Sequence, residues 1–523
     1  MLLKDVFRRP VKLYPEKLAV IDGNRRLTFR ELDARIDRLA NALLSMGISK
    51  GDRVGALLKN CAEYFEIIGA GARTGIVVVP INFRLARKEL SFLLNDAQCS
   101  ALILHAEYRE LIRELITDGV CVGEYVVIGD LVEGMHSYEY LLKGETTQAL
   151  REPLQEDDLA VILYTSGTTG FPKGAMATQR IMADRCIISA VEMSIRPDDR
   201  IINVLPMFHV SVVVGLAFLH MGATNVILRE WDPKAFCETV EREKVTAMSV
   251  APTIVHFVVN YPEVHRYDLS SFRIIQYGGS PMAEATLRAG MALFQCDFLQ
   301  ALGSTENYTS ILLKPEDHVL QGPERAMRRL MAAGREAVMV DARVVNEKTE
   351  DISPGEVGEV ITRGAANLTG YWNNPEATRK VLRDGWYHTG DLATVDDEGY
   401  IFLLERRDDL IISGGENIYP KEVENVLYSH PAIDEAAVIG VPDDSWGESV
   451  KALVILHKGQ RLTEDEVIRY CRENLASYKK PKSVEFVDDL PRNASGKVLK
   501  KKLRERYWSG TKRAGSGDTE LNS

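Results

Sequence analysis

At 523 residues the chain is longer than one hydrophobic core organises, since cores stop growing near roughly 250–300 residues, so more than one domain is expected. Its 45% hydrophobic and 27% charged residues describe a globular protein with enough apolar side chains for sizeable cores and exclude wholesale disorder. A net charge of −11, from 64 Lys+Arg against 75 Asp+Glu, offers no basic field to attract nucleic acid or anionic lipid, so the expected ligand is small.

The N-terminal MLLKDVFRRPVKLYPEK has no apolar stretch long enough for a secretory leader, and the C-terminal LNS is not a targeting address. From Thr28 to Met46 the apolar residues Leu32, Ile36, Leu39, Ala40, Leu43 and Leu44 fall at helical spacing. Short β-branched runs read as buried strands: VGALL (54–58), IVVVPI (76–81), AVIL (160–163), TAMSVAP (246–252) and RIIQYGG (273–279). Strands alternating with helices predict an α/β fold, a large N-terminal domain of mostly parallel sheets packed with helices. The most apolar window, Val210 to Leu228, is interrupted by His220 and Asn225 and reads as buried core, so no integral membrane segment is expected. The cysteines, at 61, 99, 121, 186, 237, 296 and 471, are odd in number and form no CxxC, which predicts reduced thiols in the cytoplasm.

From about Asp408 the texture changes to two strands (AAVIGV, VKALVIL), a helix from about Thr463 to Leu475 and a Lys-rich end. The predicted organisation is an N-terminal domain over 1–407, a small α+β C-terminal domain over 408–508, and a disordered tail over 509–523, where apolar residues almost vanish.

Between these landmarks, the apolar run Val161–Leu163 leads into YTSGTTGFPKG (164–174). Glycines let backbone N–H groups turn toward an anion, and hydroxyls add donors, so Thr165, Ser166, Gly167, Thr168, Thr169, Gly170 and Lys173 make a candidate phosphate cradle. It is not a Walker A loop, because GxxxxGK[ST] is absent. By composition alone it also fits a Gly/Ser/Thr-rich surface loop.

The loop resembles the phosphate-binding signature of the adenylate-forming superfamily, which includes acyl-CoA synthetases, luciferases and peptide-synthetase adenylation domains. Further segments resemble that family in order: LPMFHV (205–210), YGGSPM (277–282), GSTE (303–306), GEVGE (355–359), GYWNNPEAT (370–378), GWYHTGDL (385–392), RRDDLIISGGENIYPKEVE (406–424), VPDDSWGE (441–448) and LPRNASGKVLK (490–500). The similarity runs from about Leu27 to about Arg504. It implies a small β-barrel-like part in the large domain and a mobile C-terminal domain.

The resemblance also implies chemistry. A carboxylate is a poor electrophile, and adenylation replaces its charged oxygen by attack on the α-phosphorus of ATP, a step that needs cations and N–H donors to screen the anions. Glu306 resembles the family glutamate that holds Mg²⁺, with Thr305 and Thr165 on phosphate; Lys497 resembles the mobile lysine of the first half-reaction, and Lys173 screens the departing phosphates. Asp391 resembles the ribose-binding carboxylate, assisted by Arg406, while Gly279, Ser280, Leu302 and Gly303 border the adenine. A hinge at Asp408 would swing the C-terminal domain so that Gly414 and Gly415 admit the pantetheine arm of coenzyme A. His209 resembles the family's gate between nucleotide and acyl pocket, although a His beside Phe is also an ordinary core residue. The acyl pocket is expected from His209, Val210, Val214, Gly215, Tyr277, Leu302 and Asn307, with no Arg or Lys to pair a second carboxylate. That favours a fatty, alicyclic or aromatic monoacid. The remaining histidines lack metal-ligand spacing, so no zinc is expected.

Three positions depart from the family pattern: Leu302 stands where an aromatic usually stacks on adenine, Gln179 where histidine is common, and Glu405 where glycine usually precedes Arg406. The expected function is an ATP-dependent acyl-CoA ligase acting on a small carboxylic acid, ATP and CoA, with a homodimer held open as its assembly. Two alternatives are acyl transfer to a carrier protein and a non-catalytic relative that only binds acyl groups or nucleotide.

Overall fold

The computed structural model describes residues 1–144, 153–165, 172–209, 211–280, 282–414, 416–443, 445–492 and 498–508. The chain folds as two compact units, Met1–Ala342 with Thr362–Tyr387, and Arg343–Ile361 with His388–Ser523.

In the first unit the described residues form two large sheets. One has nine strands in the order Arg335–Glu336, Tyr308–Leu313, Asp297–Ser304, Ile274–Gly278, Ala247–Val250, Arg200–Asn203, Thr224–Ile227, Leu18–Asp22 and Arg25–Thr28. Its six central strands, from Asp297–Ser304 to Leu18–Asp22, pair in parallel, and antiparallel partners close both ends. The other has eight strands, running from Gly370–Tyr371 through Lys173–Thr178, Leu159–Thr165, Val77–Pro80, Arg53–Leu57, Cys99–His105 and Glu124–Ile128 to His136–Ser137. All five predicted runs are strands. Residues Val210–Leu228 resolve into the helix Ser211–Met221 and the strand Thr224–Ile227, both almost wholly buried. Among the described residues no helix is long and apolar enough to cross a membrane.

Local chemistry explains the helix starts. Thr28 accepts from the N–H of Glu31 while the Glu31 carboxylate reaches back to Thr28, a capping box that opens the helix Phe29–Ser45. That helix buries Leu32, Ile36, Leu39, Ala40 and Leu43, the spaced apolar residues of the sequence. On one face of the nine-stranded sheet, Ile275, Tyr277, Met248, Val250, Phe294 and Phe298 belong to one apolar core.

The second unit contains the pairing of Asp391–Val395, from the strand Trp386–Val395, with Ile401–Arg406, and a smaller sheet. The latter joins Ile433–Asp443 to Gly447–Leu456 over ten residue pairs and adds Ile411–Ser413, Glu416–Ile418 and Ser483–Phe486. Val423, Leu427, Val438, Val454, Val467 and Cys471 are buried together beneath it, and the predicted C-terminal helix spans Glu464–Asn474. The chain is thus mixed α/β, with a large parallel-sheet domain followed by a small one. All seven cysteines are unpaired, five of them buried.

Candidate active site

The phosphate-type loop joins two strands that pair antiparallel. Leu159–Thr165 pairs with Lys173–Thr178, Thr165 opposite Lys173 and Tyr164 opposite Gly174. Ser166, Gly167, Thr168, Thr169 and Gly170 lie outside the described residues. The two ends of the loop are firmly held. The Tyr164 hydroxyl donates to Asp96 Oδ2 at 2.5 Å, the Trp372 indole donates to the Asp96 carbonyl at 3.0 Å, and the Trp372 N–H donates to the Gly174 carbonyl at 2.7 Å. A Cβ on Gly174 would lie 2.6 Å from the Ile162 side chain and 3.1 and 3.2 Å from Tyr164 and Trp372, so a larger residue is crowded under this clasp. The Thr165 hydroxyl donates to the Lys173 carbonyl at 3.5 Å, and the Lys173 ammonium lies 5.6 Å from the Tyr371 ring centroid.

Glu306 sits in the bend between Asp297–Ser304 and Tyr308–Leu313. A Cβ on Gly303 would be 1.3 Å from the Tyr308 carbonyl oxygen, which gives the glycine of GSTE a steric reason, and Tyr308 itself has a positive φ of 54°. Asn307 Oδ1 accepts from both the N–H and the hydroxyl of Ser304, at 2.8 and 2.9 Å, and the Glu306 N–H donates to the Ser304 hydroxyl at 3.2 Å. Beneath the bend Arg185 is fully buried and donates to the carbonyls of Thr305 and Ala366 at 3.0 and 2.8 Å. Burial lowers the pKa of its guanidinium to about 10, still protonated at neutral pH. Glu306 is 9% exposed; its Oε1 accepts from the Tyr371 hydroxyl at 2.8 Å, while Oε2 has no hydrogen bond among the described residues. Burial and the adjacent Glu306 carboxylate raise the pKa of the Tyr371 phenol, so it remains a donor.

That half-satisfied carboxylate fits Mg²⁺. The ion commonly takes one or two protein carboxylates and keeps water and phosphate oxygens for its other positions. Among the described residues no group of three or more His, Cys, Asp or Glu gathers to make an all-protein cage.

Gly278, Gly279 and Ser280 follow the parallel strand Ile274–Gly278 at its C-terminal end, where open α/β sheets bind ligands. Gly279 has φ +82°, and a Cβ on Gly278 would meet the Ala301 carbonyl at 2.2 Å. Leu302 opposes Ile311 at a register shift and is partly buried, as is Thr305.

His209 is half-buried in the turn that opens the helix Ser211–Met221, its ring 4.4 Å from that of Phe208. Burial, aided by the nearby Arg84 charge, lowers its pKa to about 4, so the ring is neutral under ordinary conditions. The turn hangs on Asn60, which is 4% exposed: its amide donates to the carbonyls of Leu205 and Leu228 at 3.0 and 3.2 Å and accepts from the Met207 N–H at 2.9 Å.

Of the other residues expected in the acyl pocket, Val210 lies outside the described residues and Val214 is buried in its helix. Three have their side-chain positions taken up elsewhere. The Tyr277 hydroxyl donates to Gln300 Oε1 at 3.0 Å and is 3.0 Å from His318 Nε2. Asn307 is used in the bend, and a Cβ on Gly215 would meet Asn225 at 2.8 Å and Phe65 at 2.9 Å.

In the second unit Asp391 and Arg406 are opposite one another on the Trp386–Val395 and Ile401–Arg406 pair, with Arg406 Nε 2.9 Å from Asp391 Oδ1. The strand backbone before Asp391 is held by Glu359 of GEVGE, which accepts from the Gly390 N–H at 3.0 Å and lies 3.2 Å from His388 Nδ1. Asp408 is exposed within the short helical turn Arg407–Asp409. Gly414, at φ +61°, donates its N–H to the Trp446 carbonyl at 2.8 Å, and a Cβ there would meet the Trp446 ring at 2.3 Å. Gly415 and Lys497 lie outside the described residues.

Glu405, the departure beside the expected hinge, is firmly engaged. It pairs with Lys500 at 2.9 Å and accepts from the N–H groups of Arg406 and Lys421 at 3.0 and 3.2 Å; Lys500 also pairs with Glu424 at 3.0 Å. Burial opposes the Lys500 charge, but Glu424 and Glu405 outweigh it and raise its pKa. Gln179, the second departure, is fully buried with neither amide atom hydrogen-bonded among the described residues, and the structure offers no reason for that choice.

Sequence reasoning missed Asn60, Asp96, Arg185, Tyr371 and Glu359. Tyr371 and Glu359 stood inside quoted segments, a signal that was present; the other three had none.

Residues 7–372 match the family model described as AMP-binding enzyme, and residues 422–497 match that of the AMP-binding enzyme C-terminal domain. A feruloyl-CoA synthase of Amycolatopsis sp. is 39% identical over 509 residues, covering 95% of this chain and 98% of the relative. The long-chain-fatty-acid–CoA ligase FadD13 of Mycobacterium tuberculosis is 36% identical over 490 residues, covering 92% and 93%. Among solved structures, the anthranilate CoA ligase AuaEII in complex with anthranoyl-AMP superposes with a TM-score of 0.89 at 28% identity, over 97% of each chain. The chain belongs to the AMP-binding enzyme family, in the acyl-CoA synthetase branch of the adenylate-forming superfamily.

Proposed function

We propose that this chain joins a largely apolar monocarboxylic acid to coenzyme A in two steps. In the first, a carboxylate oxygen bonds to the α-phosphorus of ATP, the α–β phosphoanhydride breaks, and pyrophosphate leaves with an acyl-adenylate formed. In the second, the CoA thiol loses its proton, its sulfur bonds to the acyl carbon, and AMP leaves.

The observation that carries this reading is the pairing of a cation with an unfinished carboxylate. The hairpin that bears the hydroxyl-rich loop positions Lys173 over the ring of Tyr371, whose hydroxyl holds Glu306 by one oxygen. Mg²⁺, held by Glu306, would supply positive charge to the phosphates; Lys173 and Thr165 bind them, and Lys497 serves the attacking carboxylate. Asp391 and Arg406 take the ribose, and the second step follows a swing of residues 408–508 about Asp408 that admits CoA beside Gly414 and Gly415. The apolar residues Phe208, Val212 and Val214 around the His209 turn support an uncharged acyl chain or ring, as do relatives named for feruloyl and for long-chain fatty acids. Unpaired thiols support a cytoplasmic enzyme, and light scattering tests for a homodimer.

The test is a panel of fatty, alicyclic and aromatic acids assayed by pyrophosphate release, then by AMP and acyl-CoA formation with CoA present. Lys497→Ala is expected to reduce acid-dependent ATP–pyrophosphate exchange by roughly 100-fold or more. Exchange without any CoA thioester, but with acyl loading of a carrier protein, would move the acceptor. No exchange with any acid would sink the reading.

A further inference from the structure

One short segment, residues 366–372, connects the two groups that the pyrophosphate end of ATP requires. Arg185 donates to the Ala366 carbonyl at 2.8 Å, the Leu368 N–H donates to the Glu306 carbonyl at 2.7 Å, and the Trp372 N–H donates to the Gly174 carbonyl at 2.7 Å. Gly370 and Tyr371 pair with Met176 and Ala175 on the strand that begins at Lys173. At the centre of the segment Tyr371 is 6% exposed, and its own N–H is tied to the Thr378 hydroxyl at 2.9 Å. Its hydroxyl occupies Glu306 Oε1 alone, and its ring lies beneath the Lys173 ammonium.

The second oxygen, Oε2, takes no hydrogen bond among the described residues and is not one of the buried unpartnered atoms, so it stays open to solvent and to a ligand while Oε1 is fixed. We infer that Tyr371 is a positioning residue: by fixing one oxygen of Glu306 it aims Oε2 at the metal of Mg·ATP, and through its ring it sets the place of Lys173 against the same phosphates. This rests on the adenylation reading above.

Tyr371→Phe keeps the ring and its contact with Lys173 and removes only the hydroxyl. With a non-hydrolysable ATP analogue present, Mn²⁺ binding followed by electron paramagnetic resonance is expected to weaken roughly 10- to 100-fold, the range of one hydrogen bond to a charged group. The KM for the acid stays unchanged. In a double-mutant cycle the loss vanishes in the Glu306→Gln background, since Tyr371 acts through Glu306. Thr378→Val, which removes the partner of the Tyr371 N–H together with the hydroxyl's own bond to the Asn374 carbonyl, guards against a phenylalanine variant that fails to fold; it is expected to weaken Mn²⁺ binding about threefold. Unchanged Mn²⁺ affinity in the folded variants, or an undiminished loss on Glu306→Gln, overturns the inference. Wild-type protein that exchanges pyrophosphate while Tyr371→Phe binds Mn²⁺ normally overturns this inference alone; wild-type protein without exchange overturns the adenylation reading instead.

Discussion

His209 carries a measurable signature of its burial. Its folded pKa of about 4 lies below the ordinary 6.5, so between those values the unfolded chain binds a proton that the folded chain resists. The resulting stability is complete above pH 6.5 and is lost as pH falls toward 4, by at most about 3 kcal/mol. Urea melts across that window should show a slope that flattens in His209→Asn; an identical slope would deny the assignment. Leu302 makes a second residue-scale prediction. Leu302→Tyr restores an aromatic face and is expected to lower the KM for ATP by roughly 2- to 10-fold, the range of one aromatic stacking contact. Glu306, Asp391, Arg406 and Lys173 stand out as candidates in the sequence because each lies in a short run of residues that must be consecutive to make its bend or strand end. Asn60 and Asp96 do not. Their partners lie 147 and 276 residues away, at Met207 and Trp372, and an isolated Asn or Asp carries no mark of a contact made at that distance along the chain.

Among the elements, strands were legible because β-branched runs bounded by turns have few other uses, and the helix Phe29–Ser45 because its cap and its apolar stripe agree. What the elements do to one another was less legible. Glu405 read only as a departure from glycine before Arg406; the structure shows it bonded to Lys500 on the last described helix and to the Lys421 N–H at the start of Pro420–Tyr428. Lys500→Met would remove the ammonium bonded to both Glu405 and Glu424, leaving only the Lys421 charge near them, and is expected to destabilise the second unit by about 3–5 kcal/mol, read as an earlier transition in chemical denaturation. Glu405→Gly, the residue usual in relatives, releases the segment before Asp408. It is expected to change the ratio of the adenylation and thioester-forming rates by roughly 3- to 10-fold in single-turnover assays, where a purely structural role leaves that ratio fixed.

For the whole molecule, length and charge already required several domains and a small ligand, and the order of the family segments supplied the architecture. The make-up of the second unit, in which Arg343–Ile361 joins His388 onward, was invisible because it unites stretches separated in sequence by the return of Thr362–Tyr387 to the first. If residues 408–508 must swing between two steps, freezing one backbone angle should separate those steps. Proline fixes φ near −65°, a value the helical turn Arg407–Asp409 tolerates, so Asp408→Pro holds one arrangement. One half-reaction is expected to survive within a few-fold while the other falls by at least about 10-fold; equal losses in both would remove the need for a swing.

The bond between Glu405 and Lys500 bears on how this enzyme could be taken apart. A chain divided after residue 407, within the second unit and just before the proposed hinge, leaves the acid on one fragment and the ammonium on the other. The longer piece would then hold Glu405 without its ammonium partner, and the shorter one Lys500 with one carboxylate fewer. The shorter fragment, in which Lys500 keeps Glu424 and the nearby Asp409 charge but loses Glu405, should be less soluble when made by itself and should recover when the longer fragment is co-expressed. Fragment complementation would thus depend on a single ion pair as much as on apolar packing.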